Sequence, residues 1–471
     1  MISIIPPKFI IKEQWEGLKN PVWDKKDKKK VTILYNMIEE NKSFFLRAYY
    51  HRLGYKYRDL GSHTKDDFLL GREYGTRMQC NPVYFTLGSF IAELSRIERE
   101  EHLSKDEIVK KYVFVGGGGQ CGPCRYGMYP EEYMKVTNAM GFKDFRILIF
   151  NSDIIQDPPP PKNSAFKFSP YFKVNFALTF ILADFMHIAE CAIRPYAKDK
   201  AAALKVIDEC KEDLLKAFMS RLYLFKLPIA LYKAGRKIAK IEKIDRKIPL
   251  IFVTGEIFAN LSHGDANYNL RRFIADEGCE VIPGMMTQRG MYEGWSKNFR
   301  YYEHLKYAKN DKDAQFCKNY ITRQNLSVMC IKLIYNFLNF FFNQEQFGGR
   351  GKIHDLDELA KLGHDYYHTS IFGGEGNLEV AEAVYYHDKI DGFISVKPFG
   401  CMPSSGVSDG VQSKIIAMYP NLNFLSIETS GDNETNILSR VSMMLFKAKQ
   451  KLEGRAASLM REDSQNPPKT V

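Results

Sequence analysis

A chain of 471 residues is too long for one hydrophobic core and calls for two to four domains. Its composition, 45% hydrophobic and 26% charged, is that of a folded globular protein and excludes a disordered or fibrous chain. A formal charge of +11 would suit a polyanionic partner, but no basic stripe interleaved with aromatics accompanies it, so nucleic-acid binding is not expected. The densest basic run, residues 25–30, is interrupted by Asp27 and reads as a solvated arm. Residues 1–7 carry no charged leader or cleavage site, so no signal peptide is expected. The two most apolar stretches, 176–193 and 328–342, contain Asp184, His187, Glu190 and Lys332 and fall short of the ~18–20 apolar residues of a membrane span. Both read as buried helices, and the chain as cytoplasmic with no membrane contact. Nine cysteines, an odd number, argue against a disulfide framework.

After a charged lead-in, residues 31–53 read as a helix, with Ile33, Leu34, Met37 and Ile38 at helical spacing. Residues 54–61 form a short extended segment. Cys80-Asn81-Pro82 opens a helix, because proline is tolerated in a first turn. Val113-Phe114-Val115 is a strand that stops at four glycines, 116–119. Cys121-Gly122-Pro123-Cys124-Arg125-Tyr126-Gly127 follows, then a helix to Met140 and a strand over 146–151. This is a βαβ unit. Four prolines, 158–161, mark a domain boundary, and 165–245 reads as helical. The α/β pattern restarts with a strand at 249–255, a helix at 270–277 and a strand at 280–282. A helical insert covers 298–345. Further strands are expected at 392–396, ending in Lys397-Pro398-Phe399-Gly400-Cys401, and at 422–427, with a last helix at 436–449.

The fold class is therefore α/β, with two Rossmann- or flavodoxin-like parallel-sheet lobes and a helical segment between them. The expected domains are an N-terminal lobe (1–160), a helical linking domain (161–247), a C-terminal lobe (248–460) and a disordered tail (461–471).

Ligands of such sheets bind at the loops after strand C-termini. Two of those loops carry cysteine: one holds Cys121 and Cys124, the other Cys401. Cys80 sits at a helix start, where the dipole and free N–H groups favour a thiolate. Glycine-rich loops give access to sulfur and backbone donors. Cys191, Cys210, Cys317 and Cys330, in helical stretches, and Cys279, between a helix and a strand, read as packing residues. A lone Cys-x-x-Cys could also be a thioredoxin-type pair or half a zinc site. The domain is large for the first, and no second Cys-x-x-Cys or His pair accompanies the second. Asp184, His187 and Glu190, at successive i+3 spacing, read as polar groups between lobes. Glu256 reads as a helix-capping carboxylate after a core strand. The loop 116–119 lacks the Lys-Ser/Thr of a phosphate-binding P-loop, so the chain is not expected to be an ATPase.

Gly122-Pro123-Cys124-Arg125-Tyr126-Gly127 with Tyr129, together with Pro398-Phe399-Gly400-Cys401-Met402-Pro403, resembles the 2-hydroxyacyl-CoA dehydratase and benzoyl-CoA reductase superfamily. The likeness is greatest to the cluster-bearing part of long CoA-substrate-specific activase proteins. Cys80-Asn81-Pro82, Arg194-Pro195-Tyr196, Gly255-Glu256-Ile257-Phe258, Gly373-Gly374-Glu375-Gly376 and Asp391-Gly392 extend it over about residues 31–450. The resemblance implies a [4Fe-4S] cluster or a double-cubane [8Fe-9S] cluster on Cys80, Cys124 and Cys401, with Cys121 as an alternative or fourth ligand. Arg125 and Gly400 would lie beside it. It implies low-potential electrons from a separate ATP-hydrolysing activase, pairing with a like or related subunit, and a small-molecule or acyl-CoA acceptor. The alternative is a non-catalytic electron carrier or cluster-bearing scaffold.

Overall fold

The computed structural model describes residues 20–36, 38–118, 124–150, 162–166, 169–371 and 374–465. Cys121, Gly373 and the prolines 158–161 lie outside the described residues. The N-terminal lobe contains β1 (Thr32–Tyr35), α1 (Glu40–Arg52), β2 (Lys56–Asp59), α2 (Lys65–Tyr74), α3 (Asn81–Glu100), α4 (Lys105–Lys111), β3 (Tyr112–Gly118), α5 (Tyr129–Ala139) and β4 (Ile147–Phe150). Three helices follow: α6 (Pro170–Ile193), α7 (Lys200–Met219) and α8 (Tyr223–Ala239). The C-terminal lobe begins with β5 (Leu250–Gly255), α9 (Ile257–Leu261), α10 (Leu270–Asp276) and β6 (Glu280–Ile282). It continues with α11 (Met286–Lys306), α12 (Asp311–Phe342), α13 (Leu356–Gly363), α14 (Gly376–Tyr386), β7 (Gly392–Pro398), α15 (Asp409–Met418), β8 (Phe424–Thr429) and α16 (Glu434–Gln465).

Each lobe holds one four-stranded, all-parallel sheet, ordered β2-β1-β3-β4 and β6-β5-β7-β8. The two orders are the same, 2-1-3-4, so the lobes repeat one topology. Parallel sheets are covered on both faces, and each strand's alternation shows how. Ile33, Val113 and Val115 turn toward α1 and α6, while Leu34, Phe114 and Ile147 face α3 and α5, with Phe90 stacked on Phe114 at 4.0 Å. In the second sheet Ile251, Val253, Ile394 and Val396 meet α10 and α16, and Phe252 and Phe393 meet α14 and α15.

Several expectations change. Residues 32–35 are a central strand and not the start of a helix: Val31, Ile33 and Leu34 are buried on both faces of a parallel sheet, and a short apolar run has no period that separates the two. The 298–345 insert is two helices, α11 and α12, and both pack against α6, so physically it extends the helical domain. The last helix runs to Gln465, into what was expected to be tail. The 328–342 stretch is not a buried helix. Within α12, Leu326, Met329, Leu333, Phe337 and Phe340 form an exposed apolar stripe at helical spacing. Phe225, Ile229 and Tyr232 of the adjoining α8 are also exposed. Both α6 and α12 reach the length and apolarity of a membrane span once their full extents are counted, but α6 is packed inside the protein. Cys330, expected to pack, is exposed, whereas Cys191, Cys210, Cys279 and Cys317 are buried.

The α2–α3 crossing positions the start of α3. Gly71 and Gly88 let the helices approach until a methyl group on either would collide with a backbone carbonyl, that of Tyr84 or Asp67. Gly88→Ala is expected to lower unfolding free energy by about 3 kcal/mol, the upper range for forcing volume into a close-packed contact, whereas Thr86→Ala should cost about 1 kcal/mol. Chemical denaturation of the two variants checks this.

Candidate functional site

In a 2-1-3-4 sheet the crevice opens beyond the C-terminal ends of the first and third strands, where the chain leaves in opposite directions. Both lobes place residues there. The segment after β3 delivers Cys124, the turn after β5 delivers Glu256, and the turn after β7 delivers Cys401. One cavity of about 420 Å³ between the lobes and α6, α11 and α12 is lined by Cys80, Cys124, Cys401, Arg125, Tyr129, Glu256, Arg289 and Glu375. A second cavity of about 460 Å³, beside α12 and α13, has no cysteine in its lining.

Cys80 is the N-cap of α3 and is buried, with the Tyr129 hydroxyl 2.9 Å from its sulfur. The next residue fastens this helix end to the other lobe: the Asn81 N–H donates to the Phe399 carbonyl at 3.1 Å and its side-chain amide to the Thr429 carbonyl at 2.9 Å. Gly400 lies against this junction with φ +80°. A Cβ there would stand 3.1 Å from the Gln79 carbonyl and 3.2 Å from the Cys80 Cα, besides straining the backbone. Thus Gly400, expected beside the cysteines, serves as the seam that lets the Cys401 turn reach Cys80. Cys124 is the N-cap of a short 3₁₀ turn, Arg125–Met128. The Arg125 guanidinium donates to the Met78 carbonyl and approaches the Met402 sulfur at 3.5 Å, bridging the lobes.

Burial raises all three thiol pKa values: Cys80 above its usual range, Cys124 to about 12, and Cys401 further still, with Glu375 and Glu256 adding at Cys124 and Glu256 and Glu379 at Cys401. Hydrogen bonds oppose the rise at each sulfur, from Tyr129 at Cys80, the Tyr126 backbone at Cys124, and Ser404 at Cys401. Each sulfur therefore has a donor that would favour its thiolate, as cluster ligands require. The one triad of potential ligands among the described residues that closes within 4.8 Å is elsewhere, so at least one pair of these thiols stands farther apart than that. Thiolates sharing one zinc at ~2.3 Å would stand ~3.8 Å apart. As placed, the three thiols do not close around a single ion of that size.

The carboxylates are what the sequence reading undervalued. Glu256 does cap α9, its Oε2 accepting from the Ala259 N–H at 2.9 Å, yet it also lines the cavity. Gly255, with φ +128° against the Val396 carbonyl, makes that turn possible. In the sequence Glu375 is marked only by its flanking glycines, Gly374 and Gly376. Burial, then mutual repulsion with other carboxylates, raises Glu375 to about 8 and Glu256 to about 7. Arg289 had no sequence signal. It is buried, donates to the Thr254 hydroxyl at 2.9 Å and pairs with Glu382 at 3.5 Å, leaving Nη1 without a hydrogen-bond partner among the described residues. Asp184 accepts the Met286 and Thr287 N–H groups at the start of α11, and Glu190 pairs with Arg272, so both are structural.

Neither a family model nor any curated protein matches the sequence. The site must speak through its own chemistry. It can hold a thiolate-ligated cofactor, keep two carboxylic acids neutral near physiological pH, and present one guanidinium to a small guest.

Folding raises Glu375 from 4.5 to about 8, so the folded chain binds this proton more tightly than the unfolded chain. The contribution favours folding fully below pH 4.5 and is lost as pH climbs through about 8. Glu375→Gln, which cannot ionise, should match the parent near about pH 4 and gain stability relative to it near about pH 9. Urea denaturation at both pH values measures the difference.

Proposed function

We propose that this chain is a cytoplasmic iron–sulfur component of the reductase or dehydratase type, in which Cys80, Cys124 and Cys401 hold one cluster facing a cavity for a small molecule or acyl-CoA. The observation that carries the reading is the convergence of three thiols from both lobes on one cavity, each with its own hydrogen-bond donor. A [4Fe-4S] or double-cubane cluster, when bound, supplies single electrons at low potential. Three thiolates per cubane would leave one iron open toward the cavity, the feature that separates reactive from closed sites.

The chain's own residues supply the rest. Arg289 lines the cavity, its Nη1 has no hydrogen-bond partner among the described residues, and its guanidinium can donate to a carbonyl oxygen that gains negative charge on reduction. Glu375, held as the neutral acid near pH 7 by burial, can deliver a proton to the reduced acceptor and recover it from solvent afterwards. Tyr126, Tyr129, Tyr133, Phe176 and Phe180 line the apolar wall, excluding water from the acceptor. The electrons would come from an ATP-hydrolysing partner, and the exposed stripe on α12 and α8 offers an apolar surface for a second subunit.

The test is rapid mixing of anaerobic, Ti(III)-reduced protein with acyl-CoA thioesters, followed by electron paramagnetic resonance. The proposal expects a cluster signal that acyl-CoA discharges, and an Arg289→Gln variant that keeps the signal but discharges it at least about tenfold more slowly, a ~1.4 kcal/mol loss. A signal that no acceptor discharges would leave an electron carrier, and absence of any signal would defeat both.

A further inference from the structure

A second group of ligating side chains lies outside the cysteine cavity. Glu39 comes from the turn between β1 and α1, His187 from α6, and His263 from the segment between α9 and α10. The three thus belong to the N-terminal lobe, the helical domain and the C-terminal lobe. All are buried, with 3%, 4% and 8% of their surfaces exposed. His187 Nδ1 lies 3.9 Å from Glu39 Oε1, and the two imidazole rings stand 6.2 Å apart at 85°. One ligating atom from each residue falls within 4.8 Å of the others.

Among the described residues, both ring nitrogens of His187 and Nδ1 of His263 have no hydrogen-bond partner. Leaving a buried polar group unmatched costs about 1–3 kcal/mol, and three such atoms in one place are costly to maintain. The neighbouring cations do not serve them. Arg271 donates to the carbonyls of Asn260, Leu261 and Ser262, Arg272 to Glu190 and Glu40, and Lys211 pairs with Asp208 at 2.7 Å. Burial, with these cations, holds both histidines well below their usual pKa, so both imidazoles stay neutral, the form that ligates metal.

We propose that Glu39, His187 and His263 form a structural site for one divalent transition-metal ion, Zn²⁺ by donor type, which ties the two lobes to the helical domain. Two imidazoles and a carboxylate suit zinc, whereas calcium and magnesium prefer all-oxygen sets. Ligands ~2.0–2.1 Å from a tetrahedral zinc stand ~3.4 Å apart. The 3.9 Å between His187 and Glu39 therefore needs only small side-chain rotations. None of the three lines either cavity described above and all three are buried, which fits a role in holding elements together. Glu39 already accepts the Asn41 and Lys42 N–H groups, which orients its carboxylate, the outer-shell support that metal sites use.

Co²⁺ is the probe, in metal-depleted Cys124→Ser/Cys401→Ser protein, so that the outcome does not depend on the cluster proposal. One Co²⁺ per chain is expected, with d–d absorption but no thiolate charge-transfer band, displaced by Zn²⁺. Zn²⁺ should also raise the melting temperature by about 4 °C or more at saturating concentration. His263→Gln should lose the cobalt spectrum and the zinc-dependent shift. Glu39→Gln, which keeps the shape of the side chain, should weaken Co²⁺ at least about tenfold and serves if the histidine variant does not fold. Cobalt binding unchanged in these variants, or no cobalt bound by the parent, overturns the site.

Discussion

Asn81 bonds to the carbonyls of Phe399 and Thr429, and the approach of Cys80 and Cys401 across the two lobes depends on that junction. It joins the first turn of α3 in one lobe to the end of β7 and β8 in the other. The residue before it is Cys80, and the backbone it grips leads directly into Cys401. One contact therefore sets the spacing of two thiols that belong to different domains. Gly400 permits the approach, and the glycine crossing of α2 and α3 keeps the helix end from retreating.

Burial then decides the chemistry. The cavity sits where the two sheet crevices meet, and burial pushes Glu375, Glu256 and the three thiols toward their neutral forms. Glu375 and Glu256 are raised into the physiological range, and the thiols are raised beyond it. A metal or cluster must displace those thiol protons, so loading is coupled to proton release and favoured by higher pH. The carboxylates respond to the same desolvation by becoming donors. In the proposed reaction such a site would keep its protons until an acceptor arrives, and Arg289 would donate where charge develops.

Much of this was readable in the residues. Cys124 and Cys401 stood out because a packing cysteine has little reason to occupy a Gly/Pro turn at a strand end, and both turns fall where the sheet topology opens. The parallel α/β class followed from alternating strand and helix patterns, and the order 2-1-3-4 in both sheets agrees with it. Residues 32–35 were misread because so short a run, with only Ile33 and Leu34 buried, carries no period that separates strand from helix. The outer face of α12 was misread because apolar content alone does not say whether a partner lies on the other side. Arg289 and the triad of Glu39, His187 and His263 were beyond reach: their partners lie far away in sequence, and only the docking of three units brings them together. His187 was noticed on its own helix, beside Asp184 and Glu190, but the residues it meets are on other elements.

The account rests most directly on the metal content of the cysteine site. Iron and acid-labile sulfide should be measured in anaerobically purified protein and in the Cys124→Ser/Cys401→Ser variant. About four irons and four sulfides per chain or more, absent from the variant, is the predicted result. Less than one iron per chain in fresh anaerobic protein, or iron that survives loss of both cysteines, would contradict it.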